Sequence, residues 1–332
     1  MHALPEALSA AVAAELAASD RAALHHAARA LSERYLADHP AATPIVSDRL
    51  RAAAYLLTRM PATYAAAHCA VHELALTLPD WQPRRVVDLG AGTGAASWAA
   101  VTALETVQTV HLVDYADYAL DLAARLLADA PVTVTTENRR LGRSDQPART
   151  THGEVGAAVT GSQADLAVAG YVLSELSESQ QSAVVTELTG RAPVVLLLEP
   201  GTPAGYARIL RARDQLLSAG WRIAAPCPHQ HTCPLTGDDW CHMSVRLPRT
   251  VGHRQAKGGS RDFEDEKFAY LAATTLPTAP VGHRVLRHPQ VRGGHVRLQL
   301  CTTAGEQEQV TVSKKQGREY RRARRVEWGQ TW

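Results

Sequence analysis

The apolar positions of this 332-residue chain change rhythm near residue 84. Before it, Ala- and Leu-rich stretches recur at helical spacing. "SDRLRAAAYLLTRM" opens on Ser47 and Asp48, both suited to an N-cap, and stops at Pro61. "ATYAAAHCAVHELALTL" then resumes the helical pattern up to Pro79, so residues 1–80 predict a helical region. From residue 84 short apolar runs of strand length follow: "RRVVDLG", "TVHLVD" (109–114), "ADLAVAGYVL" (164–173) and "PVVLLLEP" (193–200). Helical patterns at 95–105, 115–129, 178–190 and 203–219 separate them. This alternation predicts a parallel α/β sheet over residues 81–224. The polar segment 137–163, rich in Gly, Thr and Arg, predicts a mobile loop. No internal repeat is visible.

Beyond Gly220 the alternation fades, and residues 225–332 predict a smaller α+β region. "GHRQAKGGSRDFEDEKFAYLAATTL" predicts a charged helix start and then a strand near 269–275. "HVRLQLCTTAGEQEQVTVSKK" predicts two strands about a turn at Gly305.

Composition narrows the class. Hydrophobic residues at 45% and charged ones at 20% are those of a globular protein. No apolar run reaches the length of about 18 residues needed to span a bilayer, so no membrane partner is expected. The opening "MHALPEALSAAVAAELAASD" lacks a basic segment followed by an apolar one. It reads as an amphipathic helix, and a reducing cytoplasm is the expected compartment. There clustered cysteines serve as ligands or catalytic groups rather than disulfides. Cys69, inside a helical pattern, is the simple case of a small core residue. A monomer is the default expectation.

Candidate chemistry begins at "VVDLGAGTGAAS", with Asp88, Gly90, Gly92 and Gly94. Glycines after a strand let the backbone turn sharply and let a ligand approach it, and the following helix offers free N–H groups. The dinucleotide fingerprint would need glycine at position 95, where alanine stands. The G-x-G-x-G spacing resembles motif I of the Rossmann-like S-adenosylmethionine (SAM) methyltransferases. That resemblance implies that Asp114, closing the second strand, would hold the cofactor's ribose. No catalytic residue can be assigned. "AGYVLSEL" stands where amino-directed nucleic-acid methyltransferases carry an Asn/Asp-Pro-Pro-aromatic motif. The Pro226-Cys227 pair matches the nucleophile of cytosine carbon-5 enzymes but follows the fifth strand, not the fourth. Glu175 and Glu199, beyond the fourth and fifth strands, read as rim carboxylates, solvated or acting as a base.

"APCPHQHTCPLTGDDWCH" places Cys227, Cys233 and Cys241 within fifteen residues of a chain that has five cysteines. Packing alone explains such a cluster poorly, and thiolates suit zinc or iron–sulfur. A closed site needs a fourth ligand. His229, His231, His242 and the distant Cys301 are the candidates.

The last feature is charge. Net charge is +2, yet residues 281–332 hold eleven Lys and Arg against four Asp and Glu. The terminal "SKKQGREYRRARRVEWG" contributes Lys314, Lys315, Arg318, Arg321, Arg322, Arg324 and Arg325, with Tyr320 and Trp328 interleaved. Cations that neutralise phosphates and rings that stack on bases predict an RNA-binding tail. The plain alternative is a solvated basic helix face.

"YLLTRMPATYAA", "VVDLGAGTGAASWAA", "APCPHQHTCPL", "DWCHMSVRLPR", "FEDEKFAYL" and "YRRARRVEWG" together resemble one family. It is the methyltransferase-like family named for protein twenty-two of the mitochondrial ribosomal small subunit, which has bacterial members. The resemblance runs from about residue 47 to the end. It implies a Rossmann-like class I methyltransferase sheet with an N-terminal helical region and a metal-stapled C-terminal α+β region. It also implies SAM as cofactor, and the small ribosomal subunit or its precursor rRNA as partner. Finally it implies a 4Fe–4S cluster, preferred to zinc, on Cys227, Cys233, Cys241 and Cys301. Two functions follow as expectations: an rRNA methyltransferase, or an assembly factor that keeps the fold without methyl transfer.

Overall fold

The structure, a computed structural model, describes residues 2–17, 19–36, 46–142, 149–150, 164–235 and 237–332. Four helices come first: α1 (Glu6–Ala17), α2 (Arg21–Leu36), α3 (Arg49–Thr58) and α4 (Met60–Thr77). Asp48 caps α3 by accepting the Arg51 N–H at 2.9 Å, and Pro61 sits in the first turn of α4, where its missing N–H costs no helical bond. These helices are not a separate body. Leu8, Leu56, Ala66 and Leu74 share one core cluster with Trp98, Leu112 and Leu196 of the sheet layer.

The main sheet contains β1 (Arg85–Leu89), β2 (Thr109–Asp114), β3 (Thr133–Asn138), β4 (Arg149–Thr150), β5 (Leu166–Gly170), β6 (Val194–Pro200), β7 (Arg222–Ala225), β8 (Met243–Pro248) and β9 (Phe263–Thr274). Its order is β4-β3-β2-β1-β5-β6-β9-β7, with β8 also on β9. The strands β3-β2-β1-β5-β6 are parallel, and β9 is antiparallel to β6 and β7. Helices α5 (Ala95–Ala103), α6 (Asp117–Leu126), α7 (Glu178–Arg191) and α8 (Pro203–Ser218) make the crossovers. A mostly parallel sheet that reverses order at β1 and closes on one antiparallel strand is the Rossmann-like arrangement expected from the alternation. Ligands bind such sheets outside the carboxyl ends of the strands, beside the point of reversal.

Three details differ from the expectation. The run 164–173 is strand only to Gly170, because Tyr171 takes a left-handed backbone with φ 62° and turns the chain away. The 137–163 segment begins and is interrupted by strand (β3 to Asn138, and β4); residues 143–148 and 151–163 lie outside the described residues. The charged stretch before 269 is strand rather than helix. After the short α9 (Val251–Lys257), β9 runs unbroken from Phe263. Its acids are each paired across the sheet or to a neighbour: Glu264 to Lys257, Asp265 to Arg246, Glu266 to Arg59. Those pairs let alternating charge persist in a strand that the sequence pattern alone would not favour.

A second, antiparallel sheet holds β10 (Arg284–Val285), β11 (Gln290–Arg292), β12 (His295–Cys301) and β13 (Gln307–Ser313). β12 and β13 pair along their whole length about Gly305, which has φ 81°. The final helix α10 (Arg318–Ala323) packs Ala323 and Tyr320 onto the core of this sheet. Among the described residues, no helix is long and apolar enough to cross a membrane.

Candidate functional site

The glycine turn leaves β1 at its carboxyl end, where Gly90, Gly92 and Gly94 all have positive φ. Two of them carry different constraints. A Cβ on Gly90 would stand 2.6 Å from Val172 Cγ2, so this glycine allows two loops to touch. A Cβ on Gly92 would meet nothing within 4 Å, so that position opens to the pocket. Asp114, at the end of β2, folds back on this turn. Its carboxylate accepts the Gly92 N–H at 2.9 Å and the Ala116 N–H at 3.0 Å. Burial pushes its pKa up, against those amide bonds. Asp88 lies deeper, 1% exposed, and accepts the Ser97 hydroxyl at 2.7 Å. Burial, opposed by Ser97 and aided by the nearby Asp114 charge, raises its pKa to about 6.

All of these except Gly94 line one pocket. Its other walls were not legible in the sequence. Tyr55 and Thr63 reach in from the N-terminal helices, and Tyr115 and Arg140 flank the Asp114 side. The Arg140 guanidinium lies 4.6 Å from the Tyr115 ring centroid. Tyr115 follows Asp114 directly, and that adjacency was the one available sequence signal.

The rim of the sheet corrects one expectation. Glu199 is fully buried rather than solvated: Arg208 donates to it at 2.6 Å and the Leu173 amide at 3.1 Å. With its charge neutralised and its oxygens engaged, it is a structural carboxylate. Glu175 remains at the pocket wall. Tyr171, also in that wall, is buried, and its hydroxyl finds no hydrogen-bond partner.

Cys227, Cys233, Cys241 and Cys301 come together on the far side of β9. Cys233 and Cys241 pack against Cys301, and Cys227 lines a small cavity with both. The thiols raise one another's pKa on top of the effect of burial, which takes Cys301 to about 12 and holds Cys241 well above the ordinary range. The Arg213 and Arg284 guanidiniums oppose this at Cys227. Tyr206 donates to Cys233 at 3.1 Å, and His229 Nε2 lies 3.3 Å from Cys301 Sγ. Among the described residues no group of three or more His, Cys, Asp or Glu stands in the arrangement of a single ion's ligand shell. Cys227 does not line the glycine-turn pocket, which removes it from any nucleophilic role there.

In the C-terminal tail the two aromatic rings turn inward. Trp328 donates to the His242 carbonyl at 2.9 Å and packs edge-on against the His242 and His288 rings. Tyr320 is half-buried on the second sheet. Both rings anchor the tail and are not presented to solvent for stacking. Lys314, Lys315, Arg318, Arg321, Arg322, Arg324 and Arg325 are exposed, and Arg318, Arg321, Arg322 and Arg325 line an open hollow.

The chain is similar to several known proteins. It is 29% identical over 293 residues to a human protein named "Ribosome assembly protein METTL17, mitochondrial". It is 23% identical over 334 residues to the Schizosaccharomyces pombe "Rsm22-cox11 tandem protein 2, mitochondrial". The matches cover 83% of this chain but 61% and 42% of those proteins, so the chain spans well under two thirds of the relatives' length. A solved SAM-dependent methyltransferase from Aquifex aeolicus overlays 67% of this chain and 95% of its own at 14% identity and TM-score 0.40; the fold assignment rests on the strand order itself. The mitochondrial names overturn the cytoplasmic expectation. The lack of a basic-then-apolar leader speaks only to secretion and does not choose among other compartments. A family model described as "Mitochondrial small ribosomal subunit Rsm22" matches residues 49–332, and the chain therefore belongs to that family.

Proposed function

We propose that this protein binds SAM at the glycine turn and acts as a methyltransferase-like protein on the small ribosomal subunit or its precursor rRNA. The observation that carries this reading is the closure of Asp114 onto Gly92. The two expected cofactor contacts, from different strands, meet at one pocket beside the point of strand reversal. Asp114 would accept the ribose hydroxyls, and the open face of Gly92 would lie under the cofactor. The names of the relatives support ribosome assembly as the setting.

The residues present fit a 4Fe–4S cluster on Cys227, Cys233, Cys241 and Cys301. Four buried thiols from a loop and a strand converge, with two guanidiniums beside them to offset thiolate charge. A zinc ion, with Zn–S bonds of about 2.3 Å, would draw the sulfurs to within about 4 Å of one another. The thiols here do not stand in such a shell, which supports the larger group. Bound there, the cluster would supply iron–thiolate bonds tying the loop to β12. The exposed basic tail is the surface we assign to rRNA.

A second reading, an assembly factor without methyl transfer, is favoured by one observation. Glu199, a candidate base at the rim, is locked to Arg208. Tritiated methyl transfer from SAM to small-subunit precursors decides between the two, with Gly92→Arg as control. Incorporation that the control abolishes establishes the enzyme. SAM binding with no incorporation on any precursor leaves the assembly factor.

A further inference from the structure

On the other side of Tyr171 from the SAM-type pocket lies an open basin of about 890 Å³. Its floor is the carboxyl end of β6, Pro200 to Thr202, with Asp265 to Lys267 of β9 beside it. Its far walls come from α2 and α9. The two hollows share a partition. Tyr55 lines the pocket and Arg59, one turn later, lines the basin. Tyr171 stands close enough to Arg59 and Glu266 for both charges to act on its phenol.

The basin is cationic. Arg29, Arg59, Arg249, Lys257 and Lys267 line it, against the carboxylates Asp265 and Glu266. Both acids already have partners: Arg246 holds Asp265 at 2.7 Å, and Arg59 lies 3.6 Å from Glu266. Arg249 and Lys257 share Glu264 just outside. Arg29 and Lys267 are exposed and form no ion pair among the described residues. Lys267 is also fixed in place. Its carbonyl accepts the Gly201 N–H at 2.9 Å, and a Cβ on Gly201 would stand 2.6 Å from the Lys267 carbonyl carbon. The backbone of β9 is thus pressed onto the end of β6, and the ammonium is carried at the mouth of the basin.

We propose that this basin is the entrance for the methyl acceptor, and that it grips the phosphodiester backbone of a single RNA strand. From there a base would reach the glycine-turn pocket across the partition of Tyr55, Arg59 and Tyr171. This rests on the SAM-binding reading above and assigns it a route for substrate. Guanidinium groups match phosphate oxygens bidentately, and an unpaired cation gains most from meeting them. A single strand is required because chemistry on a base needs that base out of the stack. The basin is separate from the tail: its residues lie on α2, α3, β6, α9 and β9, and none lies beyond Lys267.

The test uses the full chain with its tail intact and a short single-stranded RNA carrying photoreactive thiouridine. Arg29→Ala with Lys267→Ala removes two exposed, unpaired cations, so the melting temperature is expected to stay at the wild-type value. The proposal expects RNA binding to weaken about tenfold at low salt, and the slope of log affinity against log salt to fall by about 1.4. Crosslinks to α2 and β9 peptides should be lost while crosslinks to the tail persist. Unchanged affinity, slope and crosslinks would overturn it. So would a polyglutamate peptide that binds wild type but not the double variant while RNA binding stays the same, since the basin would then serve an acidic protein partner. Calorimetric SAM binding reads the underlying assignment separately: the double variant is expected to keep it, and its absence in wild type would count against the cofactor reading alone.

Discussion

Asp114 and Gly92 sit on different strands, yet the carboxylate of one accepts the main-chain N–H of the other at 2.9 Å. The acid therefore shapes the turn before any ligand arrives. Asp114→Ala is expected to abolish SAM binding and also to loosen the turn, costing about 1–3 kcal/mol through the unpaired buried amide. The glycines should separate by cause. Gly90→Ala meets Val172 at 2.6 Å and should lower stability by about 1–3 kcal/mol. Gly92→Ala meets nothing and should cost about 1 kcal/mol, from its positive φ alone. Denaturant titration of the three variants beside calorimetry with SAM checks the ranking.

Asp88 makes stability depend on pH in an unusual direction. Its folded pKa, about 6, lies above the ordinary 3.8. The protonated form is favoured in the fold, so the contribution is full below pH 4 and is lost as pH rises through 6. The size is about 3 kcal/mol at most. Asp88→Asn should remove that component, so the variant's stability relative to wild type should rise from pH 4 to pH 7. A constant gap between the two proteins across that range would refute the assignment.

Loss of the cluster should be local. Cys→Ser at 227, 233, 241 or 301 is expected to abolish bound iron and sulfide together with their visible absorption. Amide exchange should then speed up in 226–242 and β12 while the glycine turn keeps its protection. Stoichiometric zinc in colourless wild-type protein would refute the iron–sulfur assignment. Protection lost throughout the sheet would refute the idea of a local clamp.

The tail should bind by charge. Changing Arg321, Arg322, Arg324 and Arg325 together to Ala removes four exposed cations and no core contact. Affinity for rRNA should fall, and the salt slope should shrink by about 3, at about 0.7 per phosphate contact on single strands. Binding that is indifferent to the change across a salt titration would remove the tail from the RNA surface.

What could be read in the sequence was whatever is set by neighbours in the chain. The glycine turn follows its strand immediately, Asp114 closes the next one, and Asp48 caps the helix it begins. The inward turn of Trp328, the burial of Glu199 against Arg208 and the reach of Tyr55 into the pocket depend on residues far apart in sequence. Spacing carries no trace of such contacts. β9 shows the same limit: "FEDEKF" looks too charged for a strand until Arg246, Lys257 and Arg59 are in place around it.

Arg284 has a consequence for anyone trimming this chain. Wholly buried, it bonds to Glu73 of α4 and to the main-chain carbonyls of Pro226 and Gly329. A guanidinium left inside without those partners costs several kcal/mol. A shortened version ending after β9 would lose both Arg284 and Gly329. It would strand the Glu73 carboxylate and the Pro226 carbonyl at a newly bared surface. The first helices and the last turn, on opposite ends of the polypeptide, thus stand or fall together, and no smaller methyltransferase-like piece can be cut from this protein without rebuilding that junction.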